Sequence, residues 1–208
     1  MTSTSHTLAE HWAYTWAQLG LQAPASLYEQ LLACYAETHR HYHSQQHLGE
    51  CLALFGTLQA ACVRAGEVAL ALWFHDAIYD TQAHDNEVRS ATWAGTTLTQ
   101  AGADAAVAAR VEALILATRH AHIPQGQDEA VLVDIDLAIL GADPQRYREY
   151  TQQVRAEYAH VPPEAFRLGR RQVLEAFLQR PALYSLPAMA EREAQARRNM
   201  EQELAELR

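Results

Sequence analysis

Apolar residues recur at three- and four-residue intervals through most of this chain, with no convincing run at intervals of two. Leu48, Cys51, Leu52, Phe55, Leu58 and Cys62 form one such run, and Val107, Val111, Leu114, Ile115 and Thr118 a second. Val131, Leu132, Ile135 and Ile139, then Val173, Leu174, Phe177 and Leu178, continue it. A period near 3.6 puts these residues on one face of a helix, whereas a half-buried strand would alternate. The expected fold class is therefore all-α.

Punctuation falls between the runs. Gly102 followed by Asp104 reads as a helix stop and a new N-cap, and Gly141-Ala142-Asp143-Pro144 reads the same way with Pro at the first helical position. Pro162-Pro163-Glu164 opens another helix, and a strongly charged final helix from Pro187 to Leu207 is expected to lie across the surface. No repeat or Gly/Ser linker interrupts the pattern. The expectation is a single compact domain over residues 1–208, built of about nine helices.

Within this pattern, His75-Asp76 stands out at the end of an apolar helix marked by Val68, Leu70, Leu72 and Phe74. An imidazole and a carboxylate are costly in such a place unless paired, and together they suit a divalent metal. A core histidine with Asp76 capping the next turn would explain the pair equally well in isolation. Other candidate ligands follow in the chain. His43 and His47 lie four apart and would share a face if the helix containing Leu48 begins early enough. His39 and His41 suit a solvated loop. Asp134 and Asp136 interrupt the apolar helix Ala130 to Leu140. At 100° per residue, Asp136 falls beside the main apolar stripe and is the better ligand candidate. Asp134 suits a supporting role or a salt bridge.

The chain carries a formal charge of -9, which argues against a general nucleic-acid binder while leaving room for a small phosphorylated substrate. Three cysteines without CxxC spacing read as reduced core residues of a cytoplasmic protein. No stretch is long and apolar enough for a membrane span, and the N-terminus lacks the basic and apolar regions of a signal peptide.

A His, then His-Asp, then a distant Asp, all on helices, resembles the HD superfamily of metal-dependent phosphohydrolases. More narrowly, the chain resembles the family of predicted HD-superfamily metal-dependent phosphohydrolases. The matching segments run in order from Tyr42-His43-Ser44-Gln45-Gln46-His47 and Trp73-Phe74-His75-Asp76-Ala77-Ile78-Tyr79-Asp80 to Asp85-Asn86-Glu87 and Thr118-Arg119-His120. They continue with Asp134-Ile135-Asp136-Leu137, Arg155-Ala156-Glu157-Tyr158, Gly169-Arg170 and Arg197-Arg198-Asn199. The resemblance implies an all-helical HD-type domain with one divalent ion (Mn, Co, Ni, Fe, Zn or Mg) held by His47, His75, Asp76 and Asp136. It implies hydrolysis of a phosphoester or phosphoanhydride, with a nucleotide or a similar small metabolite as substrate.

His75-Asp76-Ala77-Ile78-Tyr79-Asp80 is also similar to the His-Asp-x-x-Glu-Asp motif of alarmone hydrolases, whose acidic pair activates water. Asp80 matches the second acid and Tyr79 replaces the first, so Glu87 is the candidate for the missing carboxylate. Asp80 and Glu87 are thus the expected catalytic residues. His43, His120, Arg155 and Arg170 are the expected substrate contacts, since a guanidinium matches phosphate oxygens bidentately. Arg119 and Arg171 are further candidates. Two other readings stand beside this one: a di-iron HD-type oxygenase, which needs more histidine ligands than the His120/His122 pair offers, and a non-catalytic nucleotide-binding module. Membrane association is not expected, and homo-oligomerisation stays open.

Overall fold

The computed structural model describes residues 7–207. Among them there are ten α-helices and no strand, one helix more than the spacing suggested. They are α1 (Leu8–Leu19), α2 (Leu27–Cys34), α3 (Gln45–Leu58), α4 (Ala65–Phe74), α5 (Asn86–Gln100), α6 (Ala105–Ala117), α7 (Gln127–Asp136), α8 (Pro144–Glu157), α9 (Pro163–Leu178) and α10 (Ala190–Glu206). No helix among the described residues is long and apolar enough to cross a membrane.

The architecture is organised around α4. Every residue from Gly66 to Phe74 is buried, so this helix has no polar face to give to solvent. A helix buried on every side, with its one carboxylate, Glu67, paired to Arg110, must be surrounded. Helices α1, α3, α5, α6 and α7 all pack against it. At Gly66 a Cβ would sit 2.9 Å from Gln18 Cβ and 3.1 Å from the Gln18 backbone, so glycine permits the close crossing with α1. Trp73 fills the junction, its ring edge-on to Trp12 at 5.0 Å and its indole N–H donating to Thr15 Oγ1 at 3.3 Å.

Among the described residues, side-chain caps start three of the ten helices, and Asp104, expected to cap α6, makes no such bond. Ser44 Oγ caps α3 by accepting from Gln46 N, and Asp143 caps α8 by accepting from Gln145 N and Arg146 N, with Pro144 at the first position. Two expected helices are broken where the apolar pattern ran on. The Leu48–Cys62 run ends as an α-helix at Leu58 and continues as a 3₁₀ turn. The Ala130–Leu140 run divides at Asp136 into α7 and the 3₁₀ turn Leu137–Gly141.

The charged last helix is more than a surface strap. Ala196, Asn199, Met200 and Glu203 are buried, and α10 packs closely on the turn 137–141. Asn199 Nδ2 donates to Leu140 O and Ala142 O, satisfying carbonyls left by the end of that turn. Gly141 allows the approach, because a Cβ there would meet Arg192 Cβ and Tyr184 Oη at 2.8 Å. By contrast, α9 buries only Leu174 and makes its main packing contact with α10. Much of its remaining surface forms one wall of a cleft.

Candidate metal centre

The end of α4 aims its own histidine. His75 is the C-cap, and its Nδ1 donates to Leu72 O at 2.8 Å, a carbonyl that the end of the helix leaves free. With a proton committed on Nδ1, Nε2 is the nitrogen left to turn toward a cation, once it gives up its own proton. That nitrogen meets His47 Nε2, from the first turn of α3, at 3.1 Å. Asp76 Oδ2 lies 2.9 Å from His75 Nε2 and 3.4 Å from His47 Nε2. Asp136 Oδ1, from the last residue of α7, lies 3.4 Å from His47 Nε2 and 3.5 Å from His75 Nε2. The four donor atoms all lie within 4.8 Å of one another.

Donor spacing tests whether a metal fits. Donors about 2.0–2.1 Å from a tetrahedral ion stand about 3.3 Å from one another. The five spacings above run from 2.9 to 3.5 Å. Two buried imidazole nitrogens facing each other need a proton or a cation between them. Burial opposes charge on every member, yet the cluster is charged. His75, together with His43 and His47, holds Asp76 well below the usual carboxylate range. His120, His47 and His75 do the same for Asp136. The charged partners Asp136 and Asp76 hold His47 well above its usual range, and Asp76 and Asp136 do so for His75. Carboxylates are ready as ligands, and the imidazole protons are what a cation would displace. The residues present therefore fit a divalent ion.

A cleft of about 890 Å³ opens over the cluster, with Asp76 and Asp136 in its lining. The other sequence candidates sit around it in different ways. His120 lines the cleft, and its Nε2 lies 3.0 Å from Asp136 Oδ2, behind the oxygen that faces His47 and His75. It holds this place with φ at 54°, a conformation that strains a bulky residue, and Arg180 Nη2 secures its carbonyl at 2.6 Å. His43 precedes the Ser44 cap, so it stands outside α3 rather than on a shared helical face with His47. Asp80 is exposed in the loop after α4, its Oδ1 accepting from Gln82 N at 2.8 Å. Glu87 lies in the first turn of α5, 3.6 Å from Arg119 Nε.

The two favoured arginines are committed within the protein. Arg155 donates to Tyr158 O and Val161 O and does not line the cleft. Arg170 lines its far wall, but Nε and Nη2 hold Glu203 at 2.7 and 3.0 Å and Nη1 holds Tyr150 Oη at 3.0 Å. Arg171 pairs with Glu175 at 3.5 Å, and His122 with Glu129 at 2.8 Å. Asp134 turns away from the cluster. Its buried carboxylate accepts from Ser185 N and Leu186 N, and burial pushes it up to about 6 against the pull of those donors.

Two residues were given no role in the sequence reading, although Glu157 falls within one of the matching segments. Arg40, with a fully buried side chain, donates to Asp76 O, to Ala77 O at 3.0 Å and to His43 O at 3.3 Å. It ties the His-Asp turn to the segment that leads into α3. Glu157 ends α8 and binds residues 41–43, more than a hundred positions away. No local signal distinguishes it from a surface glutamate.

Compared with known proteins, the chain matches no family model, no curated protein and no solved structure. The fold and site define an all-α protein with a buried His/His/Asp/Asp cluster able to hold a metal ion.

Proposed function

We propose that this chain is an HD-type metal-dependent phosphohydrolase acting on a small phosphorylated metabolite, with a nucleotide as the leading class. The observation that carries the reading is the convergence of His47, His75, Asp76 and Asp136 beneath a cleft of about 890 Å³. That volume falls within the range of small-molecule sites. The ordered resemblance to HD phosphohydrolases supports the same reading. When bound, a divalent ion supplies Lewis acidity at a phosphoryl oxygen and lowers the pKa of water.

The protein's own groups supply the rest. Arg119 lines the cleft and, among the described residues, pairs only with Glu87 at 3.6 Å, so it has donors to spare for phosphate oxygens. Phe166, Val173 and Phe177 of α9 face the same space and offer an apolar wall to the remainder of the substrate. The free cysteines Cys34, Cys51 and Cys62 suit the reducing cytoplasm. A di-iron oxygenase would need two further histidine ligands; His120 stands beside Asp136, while His122 is turned to Glu129.

The test is a screen of the purified protein, loaded in turn with Mn, Co, Ni, Zn or Mg, against nucleotides and simple phosphoesters, with a chelator control. Chelator-sensitive phosphate release is the expected result. Stoichiometric metal binding with no release from any substrate class would overturn the hydrolase reading.

A further inference from the structure

Glu157 makes an unusual number of contacts for one carboxylate. Its side chain is fully buried. Oε1 accepts from three successive backbone N–H groups, those of His41 at 2.9 Å, Tyr42 at 2.7 Å and His43 at 2.9 Å. Oε2 accepts from His43 Nδ1 and from Tyr79 Oη, both at 2.8 Å. An ionised carboxylate can only accept, so all five partners must donate. His43 therefore carries its proton on Nδ1, and in the neutral ring Nε2 is a lone pair.

The surroundings hold that lone pair in one place. The His43 ring stacks on Tyr79 with centroids 4.2 Å apart, and Glu157 fixes both rings. On its other side it meets His47 edge-on at 5.9 Å. His43 lines the cleft with its side chain a quarter exposed, and among the described residues nothing bonds its Nε2. Asp80 and Glu87 line the same cleft, Asp80 with its Oδ1 accepting from Gln82 N and Glu87 3.6 Å from Arg119 Nε, but neither is fixed as Glu157 fixes His43.

We infer that Glu157 is a positioning residue. It sets the tautomer and orientation of His43, whose Nε2 accepts a hydrogen bond from the water that attacks the substrate phosphorus. The inference rests on the phosphohydrolase reading and gives it a named water-orienting group. The chemistry needed is a fixed acceptor beside the metal cluster, and a carboxylate behind an imidazole is a general way to build one.

The isosteric variant Glu157→Gln separates this role from simple scaffolding. The three backbone donors keep the amide oxygen at the Oε1 position, so the NH₂ group falls against His43 Nδ1. Two donors cannot face each other, and the ring must move its proton to Nε2, presenting N–H to the water. Nitrogen-resolved NMR of His43 in the metal-free protein, at a pH where the ring is neutral, is expected to show Nδ1–H in the wild type and Nε2–H in the variant. Metal affinity and KM should change little, and kcat should fall on the order of a hundredfold or more, as for other wrong-tautomer variants. His43→Gln should lower kcat by a similar factor. An Nε2–H tautomer in the wild type would overturn the inference whatever the activity. A swapped tautomer with kcat within a few-fold of wild type would leave Glu157 a scaffold only, and overturn it as well. Absence of any phosphoester turnover would instead sink the hydrolase reading, and the water-orienting role with it, while the tautomer result would still show what Glu157 does to the ring.

Discussion

His75 can offer Nε2 to a cation because Leu72 O occupies Nδ1, and Asp136 can offer Oδ1 because His120 holds Oδ2. Each ligand is aimed by a contact on its far side. His75→Ala and Asp76→Ala should each lose bound metal by elemental analysis, and full occupancy in both would overturn the ligand assignment. Asp136→Asn should lose more metal than Asp134→Asn, whose carboxylate serves Ser185 N and Leu186 N. The latter variant places an amide NH₂ against a backbone donor, so its cost should appear as stability, on the order of 1–3 kcal/mol. Arg119→Ala should raise KM with metal content unchanged, at about 1.5–3 kcal/mol for a lost charge-assisted phosphate contact. An unchanged KM would remove Arg119 from the substrate site.

Glu157 also makes a pH-dependent contribution to folding. Burial opposes its charge, but His43, the backbone N–H groups and the Tyr79 hydroxyl prevail and lower it from 4.5 to about 2. A carboxyl whose folded pKa is depressed stabilises the fold above its unfolded pKa and loses that contribution as pH falls through the folded value. At 1.36 kcal/mol per unit the upper bound is about 3 kcal/mol, lost between roughly pH 5 and pH 2. Urea unfolding of the wild type and Glu157→Gln should therefore show a gap near neutral pH that narrows in acid. A gap independent of pH would mean that the carboxylate's charge contributes nothing.

At the scale of elements, the cluster depends on where helices stop. α7 ends at Asp136, α4 ends one residue before His75, and α3 begins two residues before His47. Helix ends leave backbone groups without intrahelical partners, and these ends meet at the site. The 3₁₀ turn Leu137–Gly141 then carries the chain from α7 toward α8 under cover of α10. Gly141→Ala would press a methyl group against Arg192 and Tyr184 and push α10 off this turn. Overpacking of this kind costs about 1–3 kcal/mol, measurable as a lowered urea midpoint. A neutral Gly141→Ala would show that α10 moves freely on the turn.

At the scale of the molecule, a bound metal would join α3, α4 and α7, which are brought together around the core helix. A ligand that binds only the folded state at a hundred times its Kd adds about 2.7 kcal/mol. For a chain of this size that corresponds to a rise in Tm of roughly 5–10 °C, reversed by chelator. Binding should also release protons, visible as a dependence of calorimetric heat on buffer ionisation. No Tm shift with any divalent metal would argue that the cluster is a proton-bridged core network.

Periodic and local features were legible in the chain itself. The 3.6-residue period, the Asp143-Pro144 start and the His75-Asp76 pair at the end of an apolar helix depend on neighbours a few residues away, which is the range over which backbone geometry acts. The preference for Asp136 over Asp134 at the cluster was legible for the same reason, because two residues along a helix turn a side chain by about 200°. What required the tertiary structure was the choice of partners among polar side chains distant in sequence. Arg155 and Arg170 look like free cations along the chain, yet folding gives them two carbonyls and a buried glutamate. Glu157 looks like a helix-end carboxylate, yet it organises residues 41–43 and Tyr79. A charged side chain's role is set by whichever donors the packed helices bring within about 3 Å of it, and no local pattern encodes that distance.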